Sequence, residues 1–448
     1  MALQDQDVTS LNEMHQATYA DTIERTLPDG TKFQKYVPFE KGDDSETHEY
    51  KQTLMLKDEL GFSMGEGAFS YNPPVPGDRK KAKIKANDLA LTGAMSIGDA
   101  KQSLDDKKKY RNNAGSIVES MNASMRKILE MQLMYGRMGL AEIKSVLPIP
   151  NDKAVTTSIT LKDNCAPAMF AGMEGLKVDF YNGETKLNSS PIAITQISTN
   201  ELILTIKGTN ANLKNLSEGN VLYLYNCYNF EMEGLAKILS TTSGKLFDIE
   251  CDEYSTWGAN LFEAGNKAMS MRLILRAMSS AVDKGLDEDV LCFTNSRHWN
   301  QLHDQLLAQR VFDSSYKKER TEIGSREITY YGNNGMITFV PHIYTKLGDA
   351  FIFPKKRFKR IGYQDPTFGI PGTDISNVWN RMESRHGVYS RIWTNQALFT
   401  ANPQKSLYIK GLSLEDNIEI DQIASLQARI DALEAIIAKL PQSVPAGS

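Results

Sequence analysis

The chain has 448 residues, with 51 Lys+Arg against 55 Asp+Glu and a formal net charge of -4. At about 100–200 residues per domain, that length predicts two to four domains, or one domain with large insertions. A hydrophobic content of 41% with 24% charged residues excludes a wholly disordered chain, and the near-neutral balance excludes a histone-like phosphate neutraliser.

No run approaches the ~18–20 consecutive apolar residues that cross a bilayer. The start, Met1-Ala2-Leu3-Gln4-Asp5-Gln6-Asp7, lacks the basic and apolar regions of a secretory signal. Cys165, Cys227, Cys251 and Cys292 form no CxxC pair. The expectation is a soluble chain from a reducing compartment, with neither a disulfide framework nor a zinc ribbon.

Residues 1–48 are polar, with a turn at Pro28-Asp29-Gly30, and read as an extended arm. Residues 49–100 hold short β-like runs among Gly61, Gly65, Gly67 and the Pro73-Pro74-x-Pro76-Gly77 cluster. This composition argues for a long exposed loop or hairpin without a packed core. Within it, Lys83–Leu91 alternates as a strand does.

Ile117, Met121, Met125, Ile128, Leu129 and Leu133 then recur every three to four residues, which predicts an amphipathic helix over about Lys108–Met134. Gly136 and Gly139 are set to end it. Residues 151–228 switch to period two, as in Val178/Phe180, Leu202/Leu204/Ile206 and Val221/Tyr223/Tyr225, with turns at Asn182-Gly183 and Gly208. A small inserted β module, barrel-like, is expected there.

Helices and strands mix from Phe230 onward. A helix over Ala268–Lys284 stops at Gly285, a strand follows at Val290–Phe293, and a helix starts near Ser296. Asn333-Asn334-Gly335 joins Ile328–Tyr331 to Ile337–Val340 as a hairpin. Ala350–Phe353 and Leu407–Ile409 are further strands. At the end, Ile423, Leu426, Ile430, Leu433, Ile437 and Leu440 place Ile at a and Leu at d of a short heptad pattern, closed by Pro441. Both a coiled coil and a terminal helix packed on its own or a neighbouring subunit fit it.

The motifs of catalysis are incomplete. Gly244-Lys245 resembles the end of a phosphate loop, but Leu239 and Leu246 stand where its first glycine and its hydroxyl residue belong. His48-Glu49 begins an HExxH in which Gln52 replaces the second zinc ligand. His298 and His303, five apart on a helix, diverge too far around the axis to share a metal. Asp287, Glu288 and Asp289 read as a solvated connection. No GxSxG elbow occurs, and no cofactor or metal is expected.

Two basic clusters stand out. Lys80, Lys81, Lys83 and Lys85 alternate along the loop strand and are candidates for pairing with acids of a neighbouring subunit. Lys355, Lys356, Arg357, Lys359 and Arg360, interleaved with Phe353, Phe358 and Tyr363, suit either a nucleic-acid surface or charged subunit packing. Arm, loop, helix and heptad each find their best partner on another copy, which is the pattern of an assembly protein.

The order of these pieces resembles the major capsid proteins of tailed bacteriophages, the HK97-like coat protein family. The likeness is carried by Lys83–Ile97, by Leu133-Met134-Tyr135-Gly136-Arg137-Met138-Gly139, by Gly234–Leu239 and Ile249–Trp257, by Asp289–Asn295, and by Asn395–Phe399 with Leu407–Ile409. It implies an α+β fold with an N-terminal arm (1–48), an extended loop (49–100) and a peripheral domain with a spine helix (101–150). The inserted β module (151–228), an axial domain with adjoining elements (229–385), returning strands (386–412) and the heptad tail (413–448) complete it.

The resemblance also implies a non-enzymatic coat protein, assembled in a bacterial cytoplasm into the icosahedral virion shell around double-stranded DNA. Its partners would be many copies of itself in hexamers and pentamers, a separate scaffolding protein, a portal and a decoration protein, with no membrane. The β module and heptad tail depart from the minimal fold. The lysine–asparagine crosslink of some relatives is not carried over, because no asparagine matches. A nanocompartment shell of the same fold, a tail or decoration component, and a carbohydrate-active enzyme are the competing readings.

Overall fold

The computed structural model describes residues 30–42, 49–96, 107–147, 154–310, 328–332, 335–368, 380–381 and 387–414. A short helix α1 (Phe33–Tyr36) and strand β1 (Phe39–Lys41) come first. Strands β2 (Glu49–Lys57) and β3 (Asp78–Lys85) form an antiparallel hairpin on their own, with register Tyr50↔Ile84 and Thr53↔Lys81. Strand β4 (Asn87–Ser96) and the 29-residue helix α2 (Lys107–Tyr135) follow.

The alternation over Lys83–Leu91 is therefore two strands broken at Ala86, one paired with β2 and the other with a distant strand. The packed-core expectation for this region also changes. Ala82, Ile84 and Ala86 are buried, so the root of the hairpin is anchored and only its outer part projects.

Strands β5 (Ala141–Val146), β6 (Ala154–Leu161), β7 (Lys177–Asn182), β8 (Thr185–Lys186), β9 (Ile192–Ser198) and β10 (Ile203–Thr209), the short helix α3 (Asn210–Lys214) and strand β11 (Val221–Leu224) build the β module. Its order is β11-β5-β6-β10-β9-β7, and β11 pairs back onto β7. The sheet thus closes into a six-stranded barrel, with β8 appended to β7. Closure removes the unpaired edges a small sheet would otherwise present. Inward residues such as Ile159, Phe180, Ile194 and Ile206 fill it. The barrel takes in β5, ahead of residue 151.

Helix α4 (Leu235–Ser240), the pair β12 (Lys245–Leu246) and β13 (Ile249–Glu250), strand β14 (Asn260–Ala268), helix α5 (Met271–Asp283), strand β15 (Val290–Thr294) and helix α6 (Ser296–Arg310) come next. The chain ends with β16 (Ile328–Gly332), β17 (Gly335–Pro341), β18 (Ala350–Pro354), β19 (Phe358–Phe368), β20 (Asn380–Arg381), β21 (Gly387–Thr400) and β22 (Leu407–Ser413).

A six-stranded mixed sheet runs β14-β22-β18-β15-β17-β16. Its central strand β15 is buried at every position, as a strand covered on both faces must be. Helix α5 lies against this sheet with Ile274, Ala277, Met278 and Ala281 buried. The Ser270 hydroxyl accepts from Leu273 N–H to cap it, and Gly285 follows at φ 89°.

A second sheet, β1-β19-β21-β20 with β4 also on β21, packs against α2. Met121 and Met125 of the helix meet Ile392 of β21. The helix leaves through Arg137 at φ 65° and Gly139 at φ 71°. Gly136 serves another purpose, since a Cβ there would sit 2.2 Å from the Met232 carbonyl oxygen.

Candidate assembly surfaces

The β2–β3 hairpin is the most exposed element. Its strands reach about 27–30 Å at ~3.3 Å per residue, and its tip, residues 58–77, is tied internally. Leu60 N–H donates to Val75 C=O, Asn72 N–H to the Ser63 hydroxyl, and the Asn72 amide to Phe62 C=O. Seven of the thirteen exposed large hydrophobic side chains among the described residues lie between Met55 and Val75, with Met64 92%, Tyr71 86% and Phe62 68% exposed. Clustered exposure of this kind marks a surface awaiting a partner.

Lys80, Lys81, Lys83 and Lys85 all lie on β3. Lys83 pairs with Asp248 at 2.5 Å; this contact lifts the lysine above its usual range and holds the carboxyl below its own. Lys80 lies 3.9 Å from Glu253 and over the Tyr254 ring. Tyr254 also donates to the Asp78 carboxylate, which keeps that acid below the usual range. These contacts run along the whole of β3, from Lys83 near its root to Asp78 where the tip begins, and all reach residues 248–254. Lys81 and Lys85 are exposed with no ion pair among the described residues, and Lys83 stands directly opposite Lys51. Like charges opposed across a strand pair are unfavourable unless an anion meets them.

The second basic cluster is largely absorbed by the chain itself. Arg357 forks onto Glu288, with Nε 2.9 Å from its Oε1, and Lys359 pairs with Glu40 at 2.8 Å. Arg360 is buried; its Nε donates to Val37 C=O, and its Nη1 to Asp365 and Gln396. Lys355 lies over the Tyr36 ring, 5.5 Å from its centroid, and Lys356 is exposed. Phe353 and Phe358 are core residues, so of the three interleaved aromatics only Tyr363 faces out. The heptad residues Ile423, Leu426, Ile430, Leu433, Ile437 and Leu440 lie outside the described residues.

Two buried polar clusters hold these surfaces in place, and neither has a local sequence signature. Glu130 of α2 accepts from Phe33 N–H (2.5 Å) and Gln34 N–H (3.2 Å) at the start of α1 and faces His342 Nε2 at 3.0 Å. One buried carboxylate thereby ties the arm to the long helix and to the loop after β17. Farther along that loop, Tyr135 donates to Asp349 (3.0 Å) and accepts from Lys346 N–H, while Lys346 Nζ donates to Gly139 C=O. Leu347 N–H reaches Asn164 C=O of the barrel. Burial pushes the Asp349 carboxyl up to about 6 and the Lys346 ammonium down.

His298 is a packing residue: Nδ1 meets Gln301 at 2.9 Å and Nε2 accepts from Gly348 N–H. His303 stacks on Trp299. Among the described residues no group of three or more His, Cys, Asp or Glu is placed to hold a metal, and no helix is long and apolar enough to cross a membrane.

No family model and no curated protein matches the sequence. Solved structures do match. The capsid asymmetric unit of cyanophage A-1(L) superposes with a TM-score of 0.53 at 10% identity, over 89% of this chain and 97% of that one. The capsid of Myoviridae phage XM1 gives 0.45 at 8% identity, over 92% and 99%. The encapsulin complex from Synechococcus elongatus gives 0.42 at 7%, over 93% and 98%. Identities this low speak to fold alone, and the cyanophage superposition is the one of the three that carries weight. With arm, projecting hairpin, long helix and returning sheets in that order, the chain has the HK97-like fold of phage major capsid proteins, carrying a barrel.

Proposed function

We propose that the chain is a major capsid protein, many copies of which assemble into the icosahedral head shell around the double-stranded DNA of a tailed phage. The observation that carries this reading is the capsid fold over nearly the whole chain, joined to a hairpin whose apolar tip is exposed among the described residues. The work done is geometric. Many modest contacts between identical subunits sum to a stable closed shell, and that work requires no catalytic residue, metal or cofactor. Three of the five cations of the Lys355–Arg360 segment, Arg357, Lys359 and Arg360, are paired with acids of the same chain, which weighs against that segment as a DNA-reading surface. Scaffolding, portal and decoration proteins complete the proposed set of partners, and the virion is the proposed location.

Electron microscopy of the purified chain, expressed with and without a scaffolding protein, tests this. Shells, sheets or capsomer rings are expected. A monodisperse monomer under every condition overturns the reading. Nuclease-protected DNA inside particles supports a phage head, whereas a protein cargo assigns the shell to a nanocompartment.

A further inference from the structure

Register across the β2–β3 ribbon fixes which side chains share a side. Lys51 stands opposite Lys83, Thr53 opposite Lys81, Met55 opposite Arg79 and Glu49 opposite Lys85. The intervening residues of β3, Ala82 and Ile84, are buried, so these pairs occupy the other side, where all but the half-buried Glu49 are exposed. Over Glu49–Met55 and Arg79–Lys85 that side carries five cations against one acid. Lys83 is met by Asp248. Lys51, Arg79, Lys81 and Lys85 have no ion-pair partner among the described residues. Arg79 to Lys85 spans about 20 Å, with a cation roughly every 6.6 Å, at ~3.3 Å per residue. Lys51 held against Lys83 is unfavourable without a counter-anion, and a row of this length matches a line of anions better than a single one.

What kind of polyanion fits follows from what this side lacks. Met55 is its one large apolar side chain. The buried centre of a protein–protein interface is apolar and depleted in lysine. Contact with a phosphate backbone instead runs on Lys and Arg, needs no apolar centre and carries no sequence information. Duplex DNA holds one charge per about 1.7 Å of axis, so ~20 Å of it sets about twelve phosphates along this row. The chain's near-neutral total leaves room for this, because the positive charge is concentrated on one ribbon.

We propose that the outer side of the β2–β3 ribbon binds the sugar–phosphate backbone of nucleic acid, without reading sequence, through Lys51, Arg79, Lys81 and Lys85. Lys83, already held by Asp248, contributes less. The contact is a property of the single subunit and does not require a closed shell.

Fluorescence anisotropy of a labelled random-sequence DNA duplex, titrated with the soluble full-length chain over a salt series, tests this. Four phosphate contacts predict that log affinity falls with log salt at a slope of about -3.6, at ~0.9 per contact. Lys81→Ser and Lys85→Ser in one chain should reduce the slope to about -1.8 and weaken binding to every sequence alike. The melting temperature should stay within about 1 °C, because both side chains are exposed. Lys356→Ser should change neither slope nor affinity. The proposal is overturned by a wild-type chain that does not bind, by a double variant that binds as wild type does, or by binding that Lys356→Ser removes. Polyglutamate of equal total charge serves as competitor: if it displaces the duplex as well as unlabelled DNA does, the ribbon belongs to an acidic protein surface and the proposal fails. Particles from a chain that binds no DNA remove this proposal alone, and DNA binding by a chain that never forms particles removes the shell reading alone.

Discussion

Replacing Gly136 by Ala should loosen the end of the long helix, by an amount that can be reasoned from its surroundings. The added Cβ would lie 2.2 Å from the Met232 carbonyl oxygen, more than 1 Å inside an ordinary contact of about 3.5 Å. The 231–234 turn cannot retreat freely. The Glu231 carboxylate accepts from the Gln132 amide and from Arg137 N–H, both at 2.9 Å. Arg137 Nε donates to Glu231 C=O, and Gly234 N–H donates to Gly136 C=O. Overpacking costs roughly 1–3 kcal/mol, and each strained hydrogen bond adds about 0.5–1.5 kcal/mol. A loss of about 3 kcal/mol follows, which lowers the melting temperature by about 6–12 °C at ~2–4 °C per kcal/mol. Circular-dichroism melting of the soluble subunit reads it. Gly183→Ala is the comparison: at φ 58° with no atom within 4 Å of its Cβ, it should cost only the left-handed strain of about 1–2 kcal/mol. If Gly136→Ala melts within about 1 °C of wild type, or above Gly183→Ala, the close-approach argument is wrong.

The buried Asp349 should make stability depend on pH. Its carboxyl titrates near 6 in the fold against an ordinary 3.8, so its stabilising contribution is complete below about 3.8 and is lost as pH rises through 6. Asp349→Asn should flatten that decline in a pH series of melting temperatures; an unchanged slope refutes it. Glu130→Ala should cost about 3–5 kcal/mol, because it leaves the buried His342 ring and Phe33 N–H, and the part-buried Gln34 N–H, without their partner. It should also open residues 30–42 to limited proteolysis, and unaltered digestion counts against the clamp. Arg360→Ala, which strands Val37 C=O and the Gln396 amide oxygen, should destabilise far more than Lys356→Ala at the exposed end of the same basic run, with both read by chemical denaturation.

What the sequence revealed and what it hid follow from the range of the interactions. The barrel strands and the β16–β17 hairpin announce themselves through period two and Asn-Gly, which are local properties. Strand β21 does not, because the side it turns toward the core carries Ser390, Thr394 and Gln396, all buried. Gln396 accepts from Arg360 and donates to Thr394, so this polar side is a satisfied interior, and the strand is legible only through the resemblance, among the returning strands 386–412. The basic run at Lys355–Arg360 was visible, but Arg357 and Lys359 find their acids at Glu288 and Glu40, positions that no spacing rule connects to it. The arm clamp is hidden for the same reason, since Phe33 and Glu130 are 97 residues apart.

Anchoring is distributed unevenly over the molecule, and this bears on the proposed role as a shell subunit. Arm, long helix, barrel and central sheet converge on residues 342–349 through Glu130, Tyr135, Asn164 and His298. The hairpin is different. A two-stranded ribbon is marginally stable by itself in water; its strand β3 is held by Ala82, Ile84 and the contacts of Lys83, Lys80 and Asp78 with residues 248–254, and among the described residues the 58–77 tip shows turn bonds of its own. If the chain is a shell subunit, this unevenness lets the body fold on its own while the exposed tip remains available for contacts between copies. Substitutions at the tip, such as Met64→Ser, should therefore leave the melting temperature of the isolated subunit within about 1 °C, as exposed substitutions usually do, while weakening association. A tip variant that unfolds the free subunit would show that the hairpin belongs to the core.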